Sequence, residues 1–308
     1  MVIDSHVHLY SAENNEDLRW MSPDLSIAGE HGLAAYKKAA GKEFTGLVFL
    51  EVDVKADSDN WDLAVKEYAY VVDEFENDKD LTYKKIVPWI PLASSRMEEF
   101  LQQLVESRGQ ALYDKYVSGF RYLFQDKPSG TMKNPTIVAN LNKLAGQKRY
   151  TFDIGIDIHS YGVWEYQECL ELLEKVDAGL VWVFNHLGKP DFESAEKFAQ
   201  WNDYVDKMAA VLSAKKATSY MKISGGFSEI PRHITDVQAI AALIKPYVDK
   251  SLAVWGKENL IFGSDWPVCV LNGGSIEKWL QILDILGLDA AVFDRNVCGC
   301  YGSVSGCC

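Results

Sequence analysis

The chain has 308 residues, 48% hydrophobic and 24% charged, an ordinary globular balance with ample material for a large core. Its formal net charge of -13 disfavours nucleic-acid or anionic-membrane partners, whose phosphates would be repelled. No apolar run approaches bilayer length and the start lacks a charged-then-apolar leader pattern, so a cytoplasmic protein is expected.

The first eight residues, Met-Val-Ile-Asp-Ser-His-Val-His, read as a strand. Side chains alternate with a period of two, which predicts Asp4, His6 and His8 on one face and Ile3, Ser5 and Val7 on the other. Two imidazoles at that spacing suit a divalent metal, although an exposed strand with incidental histidines has the same spelling.

After a polar stretch holding Trp20, Met21 and Pro23 comes a short helix near 32–41. Strands and helices then alternate. Strands are predicted at 44–53, 83–92, 117–124, 150–158, 180–187, 218–224 and 259–265. Helices are predicted at 61–75, 96–108, 135–146, 164–176, 193–214, 233–255, 276–286 and 289–296. The strands are short and apolar, as when both faces are covered. With the opening strand there are eight, which argues for closure into one (β/α)8 barrel spanning residues 1–308. A doubly wound open sheet would favour a Gly-rich first turn, and Val7-His8-Leu9-Tyr10 has no glycine.

Barrel chemistry belongs at the C-terminal strand ends. Those ends carry His6 and His8, Glu51 and Asp53, Arg121, His159, His186, Lys222 and Ser224, then Asp265. Four of the six histidines are among them, whereas His31 and His233 fall elsewhere. Arg121 reads either as a ligand for a substrate oxygen or as a partner for Glu51 or Asp53. Lys222 reads equally as a structural pair with a carboxylate or as a site residue. Trp20, Tyr122, Tyr161 and Trp266 are candidates for a pocket rim. The cysteines show no paired framework, since Cys169 and Cys269 stand alone and Cys298, Cys300, Cys307 and Cys308 crowd the C-terminus. Reduced thiols are expected.

In order, Asp4-x-His6-x-His8, His159, His186 and Asp265 resemble the metal-site pattern of the amidohydrolase superfamily. The phrases Val-Ile-Asp-Ser-His-Val-His-Leu, Ser-Gly-Phe-Arg, Asn-His-Leu-Gly-Lys-Pro, Lys-Ile-Ser-Gly and Phe-Gly-Ser-Asp-Trp-Pro resemble its sugar-acid and pyrone-dicarboxylate lactonases. Within that branch the chain most resembles fungal L-rhamnono-γ-lactonases. The resemblance implies hydrolysis of a sugar-acid lactone, with Asp265 and His186 catalytic. It implies one divalent metal, zinc by its ligand types, at His6, His8, Asp265 and His159, and some lactonases of this branch work without a tightly held metal. Arg121, Glu51, Asp53, Tyr122, Trp266 and Lys222 are then expected to contact substrate. Arg121 stands where a lysine or glutamate would bridge two metals, which favours one ion. A metal-dependent non-oxidative decarboxylase of the same superfamily is the alternative, and a homodimer is left open.

Overall fold

Among the described residues, eight parallel strands carry the site. They are β1 (Val2–Val7), β2 (Phe44–Leu50), β3 (Tyr83–Val87), β4 (Gly119–Leu123), β5 (Thr151–Gly155), β6 (Val181–Phe184), β7 (Ser219–Ile223) and β8 (Leu260–Phe262). The structure, a computed structural model, describes residues 2–192 and 194–304. The strands form two ladders, β1-β2-β3 and β4 to β8, whose edges meet at both seams. Between β3 and β4, Ile86 bridges Val117 and Trp89 bridges Arg121, with the Arg121 N–H donating to Pro88 O at 3.0 Å. Between β8 and β1, the Asp265 N–H donates to His6 O at 3.0 Å and the His8 N–H to Trp266 O at 2.8 Å. These bonds complete the circuit of a (β/α)8 barrel.

Helices α1 (Leu33–Ala40), α2 (Asp62–Asn77), α3 (Met97–Arg108), α4 (Gln110–Tyr116), α5 (Pro135–Ala145), α6 (Trp164–Lys175) and α7 (Ala195–Lys215) follow the first six strands. After β7 come α8 (Gly226–Glu229) and α9 (Val237–Trp255), then α10 (Ile276–Ile285) and α11 (Val292–Tyr301) after β8. Their inner faces are read from spacing: in α2, Ala64, Tyr68, Val71, Val72 and Phe75 are buried, a stripe of helical period. Several starts are set by caps. Asn134 accepts from the Thr136 N–H with Pro135 at the first helical position, and Asp236 accepts from the Ala239 N–H. That second cap starts α9 at Val237, later than the expected 233. The expected start of α7 at Glu193 lies outside the described residues.

Two apolar layers result. A large one lies between strands and helices, and a smaller one fills the barrel with Ile3, Val48, Leu50, Val87, Val183 and Ile261. Helix α11 belongs to the inner layer. Val297, Cys300 and Tyr301 plug the end of the barrel opposite the strand C-termini, which explains why this helix runs past the expected Asn296. Cys169, Cys269 and Cys300 are buried free thiols. Cys298 is disulfide-bonded, which corrects the expectation of reduced thiols for that residue. Cys307 and Cys308 lie outside the described residues. No helix among the described residues is long and apolar enough to cross a membrane.

Candidate active site

The opening strand does not alternate cleanly. Its pairing with β2 shifts register between Asp4 and Val7, so the expected common face of Asp4, His6 and His8 does not form. Asp4 instead faces outward to α1. Its carboxylate accepts from Tyr36 Oη at 3.2 Å, the Ser264 N–H at 2.8 Å and the His6 N–H at 3.2 Å. Burial raises its pKa to about 6, against those bonds.

His6 and His8 turn inward and meet Asp265. His6 Nε2 lies 3.2 Å from His8 Nε2 and 3.5 Å from Asp265 Oδ1, and His8 Nε2 lies 3.4 Å from the same oxygen. Donors 2.0–2.2 Å from a tetrahedral ion are separated by roughly 3.3–3.6 Å, so this triangle already has the dimensions of one face of a zinc site. His8 Nδ1 is 3.0 Å from Leu50 O, an acceptor, which puts the proton on Nδ1 and bares Nε2 toward the triangle. His6, fully buried, is held neutral by desolvation and by the Lys222 ammonium, and a neutral imidazole is the ligating form. Among the described residues these three are the group able to hold an ion.

Three strand-end turns deliver the remaining groups. Asp265 has φ 62, and Trp266–Pro267 is a cis bond. Burial works to raise the Asp265 carboxyl, but the neighbouring His186, His8 and Lys189 hold it below the ordinary carboxylate range. After β6, His186, Leu187, Gly188 and Lys189 are all left-handed, with φ 56, 56, 74 and 46. Left-handed non-glycine residues cost about 1–2 kcal/mol each, so three in one turn are kept for what they place. They place His186 Nε2 3.9 Å from Asp265 Oδ1, with His186 Nδ1 2.8 Å from Ser224 Oγ. Desolvation keeps His186 neutral, although Asp265 favours its charged form. These side chains open on a cavity of about 280 Å³ that is also walled by Trp20, Asp53, Arg121 and Lys189.

This chain is 32% identical to an L-rhamnono-γ-lactonase of Scheffersomyces stipitis, over 94% of this chain and 93% of that one. Residues 157–296 match the amidohydrolase family model. The chain belongs to the amidohydrolase family. An L-fucono-1,5-lactonase of Burkholderia ambifaria is 33% identical over 39% of this chain and 40% of its own. In fold, this amidohydrolase superposes on an amidohydrolase from Burkholderia multivorans with bound zinc, at TM-score 0.79 and 19% identity, covering 99% of this chain and all of that one. It also superposes on a 2,6-dihydroxybenzoate decarboxylase at TM-score 0.60 and 12% identity, covering 98% of each.

Other expected residues of the amidohydrolase take different positions. His159 is not beside the triangle: its Nδ1 lies 2.8 Å from Glu229 Oε2, on the loop after β5. Lys222, expected to contact substrate, is fully buried beneath His6. Its ammonium donates to Ser5 O and Asp153 Oδ1, each at 2.9 Å, and lies 3.3 Å from His6 Nδ1. Glu51 is likewise fully buried and orients others. Its Oε1 holds Arg121 Nη1 at 3.1 Å and its Oε2 accepts the Asp53 N–H at 2.6 Å. Trp266 packs against His31 and Tyr36 instead of lining the cavity. Tyr122 lines a neighbouring cavity of about 300 Å³ with Arg19 and Trp89, walled from the first by Asp53 and Leu123. Burial, then Glu51 and Asp126, raise the Asp53 carboxyl to about 7. Arg121 remains in the main cavity, with Nε buried and without a hydrogen-bond partner. Gln125, Ser228 and Lys189 also face it and were not anticipated, although Lys189 stands within the quoted phrase Asn-His-Leu-Gly-Lys-Pro.

Glycines in two quoted phrases make room for the histidines. A Cβ on Gly263 would stand 2.5 Å from His6 Cβ, and one on Gly225 2.3 Å from His186 Nδ1. Gly225 also has φ 65. Gly225→Ala is therefore expected to displace the His186 ring and lower kcat by about 10²-fold, the scale of losing a placed donor. Steady-state kinetics beside a near-native circular dichroism spectrum checks this.

Proposed function

We propose that this amidohydrolase hydrolyses the lactone of a six-carbon sugar acid, L-rhamnono-γ-lactone or a near relative, to the open-chain aldonic acid. The observation carrying this reading is the convergence of Asp265, His186 and His8 on one cavity, with His6 completing a triangle with His8 and Asp265, in a chain related over nearly its whole length to a lactonase. Lactone hydrolysis needs an activated water, a donor for the carbonyl oxygen and a proton for the ring oxygen. Asp265 takes the proton of a water in the cavity as that water adds to the carbonyl carbon. His186, and the Arg121 guanidinium where it lines the cavity, donate to the carbonyl oxygen as it becomes negative. The bond to the ring oxygen then breaks with its electron pair, and the proton held by Asp265 completes the new hydroxyl. A divalent ion, zinc in this reading, would be held by His6, His8 and Asp265 and would polarise the carbonyl or acidify the water. No nucleophilic serine is required, and no Gly-x-Ser-x-Gly elbow occurs in the sequence.

A decarboxylase is the second reading, resting on the shared fold. Against it, the phrase after β8 is Asp265-Trp266-Pro267-Val268, where decarboxylases of this superfamily more often read Asp-Tyr-Pro-Phe. The two separate in one assay. Purified protein is expected to release protons from γ- and δ-lactones of six-carbon aldonic acids and no CO2 from hydroxybenzoic acids. The converse result assigns the decarboxylase.

A further inference from the structure

Lys189 is not needed by the mechanism above, yet the fold goes to some length to place it. It ends the run of left-handed residues that begins at His186, and its carbonyl accepts the His159 N–H at 3.3 Å, which ties the turn to the loop after β5. Its side chain is 15% exposed, and it lines the cavity that also holds His8, His186 and Asp265. Two carboxylates flank the ammonium, Asp157 at 3.4 Å and Glu229 at 3.5 Å. Neither contact has the 2.7–2.9 Å length of a tight charged hydrogen bond.

Both carboxylates are already engaged by shorter bonds. Asp157 accepts the Ser160 N–H at 2.8 Å, and Glu229 is held by His159 Nδ1 and Ser228 Oγ, each at 2.8 Å. They keep Lys189 charged and anchored while leaving its donor capacity toward the cavity. A lysine serving only the fold would close on its partners.

We propose that Lys189 is a catalytic residue of this site, whose ammonium donates to the lactone ring oxygen as the ring C–O bond breaks. The inference rests on the lactone-hydrolase reading and adds to it the group that stabilises the leaving oxygen. The ring oxygen must lie beside Asp265, which returns the proton to it, and Lys189 lines the same cavity from the turn after β6. Arg121 comes from β4 and serves the carbonyl oxygen. Negative charge reaches the ring oxygen only as the bond breaks, so the contact strengthens toward the transition state and acts on kcat more than on KM.

The test is the kinetics of Lys189→Met and Lys189→Arg on an aldono-γ-lactone that the wild type hydrolyses. Lys189→Met is expected to lose about 10²-fold or more in kcat with KM within about threefold, the scale of one lost transition-state donor, and Lys189→Arg to recover part of it. Dihydrocoumarin, whose leaving oxygen is a phenol needing little help, supplies a second readout wherever the wild type accepts it. Lys189→Met is expected to lose at least tenfold less on it than on the aldonolactone. That ratio does not depend on how much of the variant is folded. A kcat within threefold of wild type, a loss confined to KM, or equal losses on both lactones overturns the proposal. A wild type inactive on every lactone instead overturns the underlying reading.

Discussion

Asp265→Asn is expected to lower turnover on the cognate lactone by about two to four orders of magnitude, the usual range for loss of a general base. The amide keeps the shape of the carboxyl and its place 3.4–3.5 Å from His6 and His8, but it cannot take a proton from water. The other residues lining the cavity are untouched, so KM or product affinity should change far less than kcat. The carboxyl sits below the ordinary carboxylate range, so the base is ionised throughout the neutral region. The loss should therefore appear at every pH from about 6 to 8 instead of as a shifted profile. Stopped-flow or pH-stat kinetics reads it, and near wild-type turnover would show that another group activates the water.

Lys222→Met is expected to be strongly destabilising. Lys222 and Asp153 are an ion pair with neither side chain exposed. Asp153 Oδ1 also accepts from Tyr301 Oη at 2.8 Å, so a buried hydrogen-bonded chain runs from α11 to the floor of the site. Removing the lysine leaves a carboxylate inside the barrel with only hydroxyl partners. Breaking such a pair costs about 3–5 kcal/mol, since the remaining charge stays desolvated. Thermal unfolding should show a drop of roughly 10 °C. Lys222→Met combined with Asp153→Leu removes both charges and should regain most of that loss, because an apolar replacement of a whole buried pair is often neutral. A single variant as stable as the parent would contradict the burial of this pair.

Much of the barrel was legible because its strands are apolar on both faces and its helices carry 3.6-residue stripes, as in α2. The centre was legible because His6, His8, His186 and Asp265 fall at strand ends, where their residue types have little other purpose. Depth was not legible. Glu51 and Lys222 stand at strand ends like the others, yet both are fully buried and hold Arg121 and His6 in place. Strand periodicity cannot tell a residue on the cavity wall from one a layer below it. Asp4 left the expected face because β1 shifts register, an irregularity that no residue in Val-Ile-Asp-Ser-His-Val announces. Lys189, Asp157 and Glu229 come together only through the left-handed turn after β6 and the short helix α8, features with weak sequence signals. The ladders also end sooner than expected, since Asp53, His186 and Asp265 lie in turns beyond the last paired residues.

A crystal structure with the product aldonate bound tests the central claim most directly. Its C1 carboxylate is expected against Asp265 and His186, with Arg121 on one oxygen and the hydroxyl freed from the ring within hydrogen-bond reach of Lys189. An aldonate seated with C1 in the neighbouring cavity of Arg19, Trp89 and Tyr122, away from Asp265, would contradict it.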